Sequence, residues 1–387
     1  MKKTKLAAAL LAAAMLTGCG SIGGNQPADS ALPALEYTRP ADEPMAGQQQ
    51  KSVQSHGQLT DGSGYTLYVN NELEITGVNL TAQLKVEPLL AEPLKSATIL
   101  TLNVETVGSG ACSDLEGIRQ VNLGSGVRSI GSLAFSKCAS LDKIAFPESL
   151  TAIGDYAFQG CTSLRSADIP SNVTALGRRL FMDCSMLLSA TVDTDVGELT
   201  FADCASLRDL TLGENCHSIG SDAFSGCIGL KSLSLGTSIG QIGSRAFSGC
   251  TALEQLSAEG NLGTAAFANC TALWDISLGD GCKTIGAEAF SGCTGIKKLT
   301  LGTAVERIED RAFSGCTALE HIIYPATLKY IGHQAFSGAQ SITKVEYEGD
   351  SYWTVYHNFE KDFNENSSVK FTEATKLKED KAAQASK

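Results

Sequence analysis

Ten phenylalanines recur at nearly constant intervals through the chain of 387 residues. They are Phe135, Phe158, Phe181, Phe201, Phe224, Phe247, Phe267, Phe290, Phe313 and Phe336, and every interval is 23 residues except two of 20. The residue five positions before each Phe is aliphatic, and the residue four before is Gly except at Glu309. A fixed period of this length indicates one small unit repeated along the chain, which constrains the fold to a stack of such units.

Each unit also carries the pattern L-x-x-L-x-L, as in Leu230, Leu233 and Leu235. This pattern is typical of leucine-rich repeats, in which one short strand per repeat joins a parallel sheet. We assign the strand to segments such as 141–146 and predict a short helical turn at each S-x-x-A-F-S-G segment. The predicted fold class is therefore an α/β repeat solenoid over residues 109–348, with its parallel sheet on the concave side.

Motifs such as IGDYAFQGCTSLRSADIP (153–170) and IGSRAFSGCTALEQL (242–256) resemble the BspA-like leucine-rich-repeat family of bacterial surface proteins. The resemblance covers roughly residues 115–347. It implies an exported parallel-strand solenoid without a catalytic centre, associated with adhesion or protein recognition. The two 20-residue units depart from the regular pattern, because three residues are deleted between Val192 and Val196 and again between Ala258 and Leu262.

The first residues indicate where the protein is located. Lys2, Lys3 and Lys5 precede an apolar stretch, 6–16, that is too short to span a bilayer. The ending Leu-Thr-Gly-Cys at 16–19 resembles the lipobox of bacterial lipoproteins. We therefore predict a signal peptide over 1–18, a lipid anchor on Cys19, and a membrane-anchored lipoprotein on the cell surface or periplasmic face; the alternative is an ordinary signal peptide with an unmodified cysteine.

Segments outside the repeats are expected to link or cap the solenoid. Residues 19–56 carry the predicted lipid and are rich in Gly, Pro, Ala, Gln and Ser, which predicts a flexible linker. Residues 57–108 contain two alternating segments joined by Asn70-Asn71 and predict an N-terminal β cap. Residues 349–375, with Trp353, predict a C-terminal cap, although Trp353 could instead bind a ligand, and 376–387 form a charged tail.

Charge and motif content limit the possible functions. The net charge of -12, with no Lys/Arg cluster, argues against nucleic acid as a partner. The five histidines lie in no recognised catalytic motif, and we predict no enzyme activity, no cofactor and no metal site. Cys216 and His217 are adjacent, so on an extended chain their side chains point to opposite sides and do not form a catalytic pair.

Thirteen cysteines in an exported chain would ordinarily indicate disulfides. Nine of them follow a ladder Phe by three residues, and Cys112 precedes Leu115 as Cys138 precedes Leu141, which suggests a degenerate leading repeat. Cys216 and Cys282 replace Val, Leu or Ile of other repeats. We favour buried free thiols, because stacked side chains point in parallel and are poorly aimed for a disulfide; disulfides and a metal site remain alternatives.

Ligand contacts are expected on the outward positions of the predicted sheet. One column there carries hydroxyls: Thr191, Thr211, Ser234, Ser257, Ser277 and Thr300. The candidate contacts are Trp274, Arg208, Lys231, Lys297 and His321. An exposed Trp is a frequent binding hot spot, whereas small polar residues can also simply solvate a strand.

Two functions follow from these features. The first is recognition or adhesion, with an extracellular protein or glycan as partner. The protein is then anchored to the membrane through its N-terminal lipid. The second is a structural role in the envelope, scaffolding another protein of the same cell.

Overall fold

The computed structural model describes residues 51–342 and the strand 344–347. The predicted signal peptide, Cys19, the linker up to residue 50, the predicted C-terminal cap with Trp353 and the charged tail lie outside the described residues. The first three strands, β1 (Val53–Gln58), β2 (Gly64–Tyr68) and β3 (Glu72–Thr76), pair antiparallel in this order. Asn71 adopts a φ of 63° in the predicted hairpin between β2 and β3. The last residues of the predicted linker thus belong to β1.

From β3 onward the pairing is parallel, so stacking starts inside the segment predicted as a cap. The following elements are β4 (Asn79–Leu80), two 3-10 turns (Leu84–Val86 and Pro88–Leu90), helix α1 (Pro93–Ser96), β5 (Ile99–Asn103), β6 (Thr106–Val107), β7 (Gln120–Leu123), β8 (Ser129–Ile130), β9 (Lys143–Ala145), β10 (Ala152–Ile153), β11 (Ser166–Asp168), β12 (Ala175–Leu176), β13 (Ser189–Val192) and β14 (Asp209–Leu212). The later repeats contain β15 (Ser218–Ile219), β16 (Ser232–Ser234), β17 (Gln241–Ile242), β18 (Gln255–Ala258), β19 (Asn261–Leu262), β20 (Asp275–Leu278), β21 (Thr284–Ile285), β22 (Lys298–Thr300), β23 (Arg307–Ile308), β24 (His321–Tyr324), β25 (Tyr330–Ile331) and β26 (Lys344–Tyr347).

Each regular repeat contributes one longer and one two-residue strand, and like strands of successive repeats pair in parallel. The longer strands form the sheets β1-β2-β3-β5-β7-β9, β11-β13-β14, β16-β18-β20-β22 and β24-β26, which together we call the long-strand face. The two-residue strands form the sheets β4-β6-β8-β10-β12 and β15-β17-β19-β21-β23-β25. The predicted parallel solenoid is therefore confirmed.

The helical turn predicted around each Phe is absent, so the α/β character is not confirmed. In the repeat of Phe247 the N–H of Ala246 donates to the carbonyl of Gly243 at 3.3 Å, and that of Cys250 to the carbonyl of Phe247 at 3.3 Å. Arg245 and Gly249, at the third position of these two turns, have φ values of 54° and 75°. Consecutive type II turns require such positive φ values, which a right-handed helix does not allow.

The two turns also hydrogen-bond to the next repeat through alternate residues. Arg245, Phe247 and Gly249 donate their N–H groups to carbonyls of the following repeat at 2.7–2.8 Å. This pattern satisfies the buried amide of Phe247 without a helix or a regular strand. A positive φ is uncommon for a residue other than glycine, so hydrogen bonds to the neighbouring repeat must stabilise this conformation at Arg245.

The ladder phenylalanines form a continuous stack inside the solenoid, as predicted. Neighbouring rings have centroids 5.0–5.5 Å apart and planes within 3–14° of parallel. All ten side chains are fully buried. Each ring between the first and the last therefore packs against the rings of both neighbouring repeats, and no repeat can bury its own Phe.

The Gly before most of the double turns is explained by close contact between backbones. A Cβ atom on Gly243 would lie 2.6 Å from the backbone of Gly220 and Ser221, and one on Gly177 would lie 2.2 Å from Gly154. Real Cβ atoms do not approach backbone atoms this closely, so the close contact of neighbouring repeats requires a residue without a side chain at these positions.

The cysteines contribute hydrogen bonds as well as volume. All twelve described cysteines are buried and unpaired. The Sγ of Cys250 donates to the carbonyl of Phe224 at 3.4 Å, and the Sγ of Cys161 donates to that of Phe135 at 3.1 Å; the same bond recurs along the ladder. The Phe224 carbonyl also accepts from its own turn at Cys227, so the thiol of the next repeat provides its second hydrogen bond.

The leading repeat is aligned differently from the sequence-based assignment. The N–H of Cys112 donates to the carbonyl of Ala134 at 2.8 Å, which is the bond that each ladder Phe makes with the next repeat. Cys112 therefore occupies the Phe position, and Leu115 occupies the position of the ladder cysteines. The shared three-residue spacing from a Cys to a Leu was misleading, because an apolar side chain is acceptable at both positions.

The two short repeats replace a lost main-chain acceptor with a side chain. In a regular repeat the carbonyl of Lys283 accepts from the N–H groups of Glu306 and Arg307 at 2.9 and 3.1 Å. After the first deletion, Asp195 Oδ1 accepts from His217 and Ser218 at 2.7 and 2.8 Å. After the second, Asn261 Oδ1 does the same for the equivalent pair of amides at 2.9 and 3.0 Å. Stacking is thus preserved across both deletions.

The loop before β2 binds the open edge of the first coil. Asp61 Oδ2 accepts from the N–H groups of Thr81 and Ala82 at 2.6 and 2.7 Å, and Oδ1 accepts from Ser63 at 2.9 Å. Partial burial raises the pKa of Asp61, but these amide donors outweigh it and lower the pKa to about 2. The carboxylate thereby provides partners for amides that no preceding repeat supplies.

The Phe stack predicts a large loss of stability on truncation. We expect Phe247→Ala to lower the free energy of unfolding by about 3–5 kcal/mol, because a fully buried ring is removed from between two others. Denaturant unfolding followed by circular dichroism measures the change. The matched variant Phe247→Leu should lose less than half as much, and an unchanged midpoint for Phe247→Ala would contradict the packing described.

The thiol ladder predicts that the native protein resists thiol reagents. Burial raises the pKa of Cys138 and Cys282 to about 12 and that of Cys216 to about 11, so the reactive thiolate is scarce at pH 8. In a Cys19→Ser background, an aromatic disulfide reagent should titrate fewer than one thiol per native chain and all twelve in guanidinium. A low titre in guanidinium would instead demonstrate disulfides.

Candidate functional site

The outward side of the long-strand face presents columns of polar side chains in register. The predicted hydroxyl column is confirmed as a geometric feature, because Ser234, Ser257, Ser277 and Thr300 are Cα partners on adjacent strands β16, β18, β20 and β22. Thr191 and Thr211 are partners on β13 and β14 in the same way. All of these residues are exposed, and the intervening apolar residues, such as Leu256 and Ile276, are buried. The period of two along a strand produces this separation.

A second outward column runs parallel to the hydroxyls, two residues earlier on the same strands. Ser232, Gln255, Asp275 and Lys298 are Cα partners in sequence across β16, β18, β20 and β22. Lys298 Nζ lies 3.5 Å from Asp275 Oδ1. The two columns enclose a shallow depression of about 320 Å³, lined by these four residues together with Leu233, Ser234, Leu256, Ser257 and Ser277.

Polar side chains at the beginning of the long-strand face are instead bonded to one another. Glu72 accepts from Thr101 at 2.8 Å, and Thr101 accepts from Asn122 at 3.2 Å. Asn122 in turn accepts from Gln120 at 2.7 Å. Their hydrogen-bonding capacity is therefore largely satisfied within the protein. Over β16–β22, by contrast, Ser234, Ser257 and Ser277 are exposed and available to a ligand.

The candidate contacts predicted from the sequence fall into two columns. Four of them directly precede a long strand and are exposed, namely Arg208, Lys231, Trp274 and Lys297. Trp274 keeps 40% of its surface exposed and lies one residue before Asp275 of the depression. The backbone connects this column, since the carbonyl of Trp274 accepts from the N–H of Lys297 at 3.1 Å.

His321 lies elsewhere. It is the first residue of β24, it is half-buried, and it follows Lys298 by one period, so it belongs with the column of Gln255, Asp275 and Lys298. These three lining residues were missed in the sequence, although the alternation along each strand could have identified them. Their mixture of amide, carboxylate and ammonium groups gives the depression both donors and acceptors.

The structure separates the side chains of the adjacent Cys216 and His217. Cys216 is fully buried while His217 is exposed, as the alternation predicted, and His217 Nδ1 lies 2.8 Å from the carbonyl of Asn215. No group of three or more His, Cys, Asp or Glu residues is placed to hold a metal ion in this part of the chain. Within the same residues, no helix has the length and apolarity needed to cross a membrane.

Solved structures that match the chain include bacterial leucine-rich-repeat proteins. One from Bacteroides ovatus is 23% identical with a TM-score of 0.50, and the match covers 82% of this chain and 98% of the other. A leucine rich cell surface protein from Faecalibacterium prausnitzii is 23% identical with a TM-score of 0.41, over 80% of this chain and 96% of the other. No curated protein matches the chain at significant similarity.

The family is shown by the repeats themselves. The sequence model of the BspA type leucine rich repeat region matches residues 91–199, 194–264 and 260–379, which is most of the chain. Leucine-rich-repeat proteins usually act in protein binding or surface recognition. The chain belongs to the BspA-type leucine-rich-repeat family.

Proposed function

We propose that this chain is an exported recognition protein that binds an extracellular protein or glycan on its long-strand face, without catalysing a reaction. The observation that supports it best is the depression over β16–β22, where polar groups lie in register. The exposed Trp274 directly precedes its lining residue Asp275 in the chain. Exposed aromatic side chains beside polar groups are typical binding hot spots. We take the long-strand face as the concave, ligand-facing side of the solenoid.

The N-terminal residues support a membrane anchor for this function. The lysines, the apolar stretch and the Leu-Thr-Gly-Cys ending together favour export and acylation of Cys19. Two or three acyl chains on one residue would hold the protein stably at a membrane, whereas a single chain binds only reversibly. The linker after Cys19 would separate the recognition face from the bilayer.

The anchor is tested by metabolic labelling in a bacterial host that processes lipoproteins. The wild-type chain should incorporate radiolabelled palmitate and fractionate with membranes. Cys19→Ser should abolish the label, since no thiol remains for acylation at the processing site. If Cys19→Ser keeps the label, or if the wild-type chain is exported without label, Cys19 is not the anchor and the alternative of an ordinary signal peptide with an unmodified cysteine is favoured.

The recognition surface is tested by binding the Cys19→Ser chain to arrays of extracellular proteins, glycans and envelope extract of the producing cell. We expect saturable binding that Trp274→Ala weakens at least tenfold, which is the effect of removing a hot spot. Ile228→Ala is the matched control, because Ile228 is an exposed apolar residue in the turns rather than on a strand.

Each other outcome has a distinct meaning. Binding confined to envelope extract would favour the structural role in the envelope over recognition of an external partner. Saturable binding that Ile228→Ala reduces and Trp274→Ala does not would place the site away from the long-strand face and contradict the proposal.

A further inference from the structure

We propose that the depression over β16–β22 binds an uncharged, linear glycan that crosses the strands, with one sugar ring over each strand and Trp274 as a stacking platform. This inference rests on the proposed function and specifies its ligand class. It is carried by four observations on the described residues: available hydroxyls, their spacing, the local charge, and the position of Trp274.

The serine hydroxyls of the depression take part in no hydrogen bond with other described residues. Ser234, Ser257 and Ser277 are exposed and lie in register on three neighbouring strands. Each hydroxyl can donate one hydrogen bond and accept two. A sugar also presents hydroxyls that both donate and accept, so a glycan can match this column without requiring a fixed polarity at any position.

The spacing of the column favours a chain of rings over a peptide. Strands in a sheet are about 4.7–4.9 Å apart, so equivalent hydroxyls repeat at that interval across β16, β18 and β20. An extended peptide advances about 3.3 Å per residue with alternating side chains, so its groups would not stay in step with the column. Linked pyranose rings advance by about the strand spacing.

The charges of the site favour a neutral ligand. Lys298 lies within 3.5 Å of Asp275, so the ammonium and the carboxylate inside the depression largely compensate each other. The chain as a whole carries a net charge of -12, which repels polyanions. Sulfated or uronic-acid polymers are therefore disfavoured, whereas neutral hydroxyls can bond to both groups of the pair.

Trp274 provides the apolar contact that such a ligand needs. It directly precedes Asp275, and its exposed fraction of 40% leaves much of the indole available. A sugar ring has a face of C–H groups, and a large, rigid aromatic surface can cover it while the ring hydroxyls turn toward polar neighbours. In this proposal Trp274, one residue before the lining Asp275, supplies the stacking contact beside the polar groups.

Fluorescence titration of the full chain tests this inference. Trp353→Phe leaves Trp274 as the sole tryptophan. We expect at least one uncharged linear hexasaccharide of glucose, mannose or N-acetylglucosamine to shift its emission saturably. The double variant Ser257→Ala/Ser277→Ala should raise Kd at least tenfold, because two hydrogen bonds are lost. Thr211→Ala, which removes an equivalent exposed hydroxyl outside the depression, should leave Kd within twofold.

The outcomes separate this inference from the function on which it rests. If none of the hexasaccharides shifts Trp274 while a protein from the arrays binds in a manner that requires Trp274, recognition stands and the glycan assignment is wrong. Tighter binding of a heparin hexasaccharide than of any neutral one would also overturn it. If no ligand depends on the long-strand face, both proposals fail.

Discussion

Contact between consecutive repeats is the interaction on which every other feature of this protein depends. A unit of 20 or 23 residues cannot enclose a phenylalanine, yet in the stack all ten ladder rings are fully buried and lie 5.0–5.5 Å from the next. The same neighbours complete the backbone hydrogen bonds of the double turn, as at Phe247 and Ala266. Packing and hydrogen bonding therefore reinforce each other along one direction, which makes stability a property of neighbouring pairs.

Close stacking also explains residues that look unrelated in the sequence. Glycine precedes the double turn because a Cβ would collide with the preceding backbone, as at Gly243. A thiol follows nine of the ten ladder Phe residues because it is small and apolar and can still donate to a carbonyl of the preceding repeat, as Cys250 does to Phe224. Oxidation to a disulfide would remove the S–H donors and leave buried carbonyls with one partner fewer.

The inward residues of a strand pack in the core, whereas the outward residues of the same strand form the surface. Leu256 and Ile276 are buried in the core, whereas Gln255 and Asp275 on the same strands lie on the outward side of the sheet. The outward columns are thus free to differ between repeats without loss of the fold. At the first coils they are used for internal hydrogen bonds around Glu72, while over β16–β22 they remain available. This contrast is the physical basis for placing recognition in the later repeats.

The sequence by itself determined the repeat, the longer strand of each repeat, the inward positions of the Phe and Cys ladders and the exposed hydroxyl column, because burial follows the period of apolar residues directly. The second, two-residue strand of each repeat was not predicted. Tertiary structure decided the rest. Whether the segment around Phe247 is helical depends on φ at Arg245, a residue without intrinsic preference for a positive value, which hydrogen bonds to the next repeat stabilise. Asp195 and Asn261 gain their role only where a neighbouring repeat presents two amides. Likewise, Gln255, Asp275 and Lys298 form one surface only through strand register, which joins residues 20 and 23 positions apart, and a linear sequence does not display such lateral neighbours.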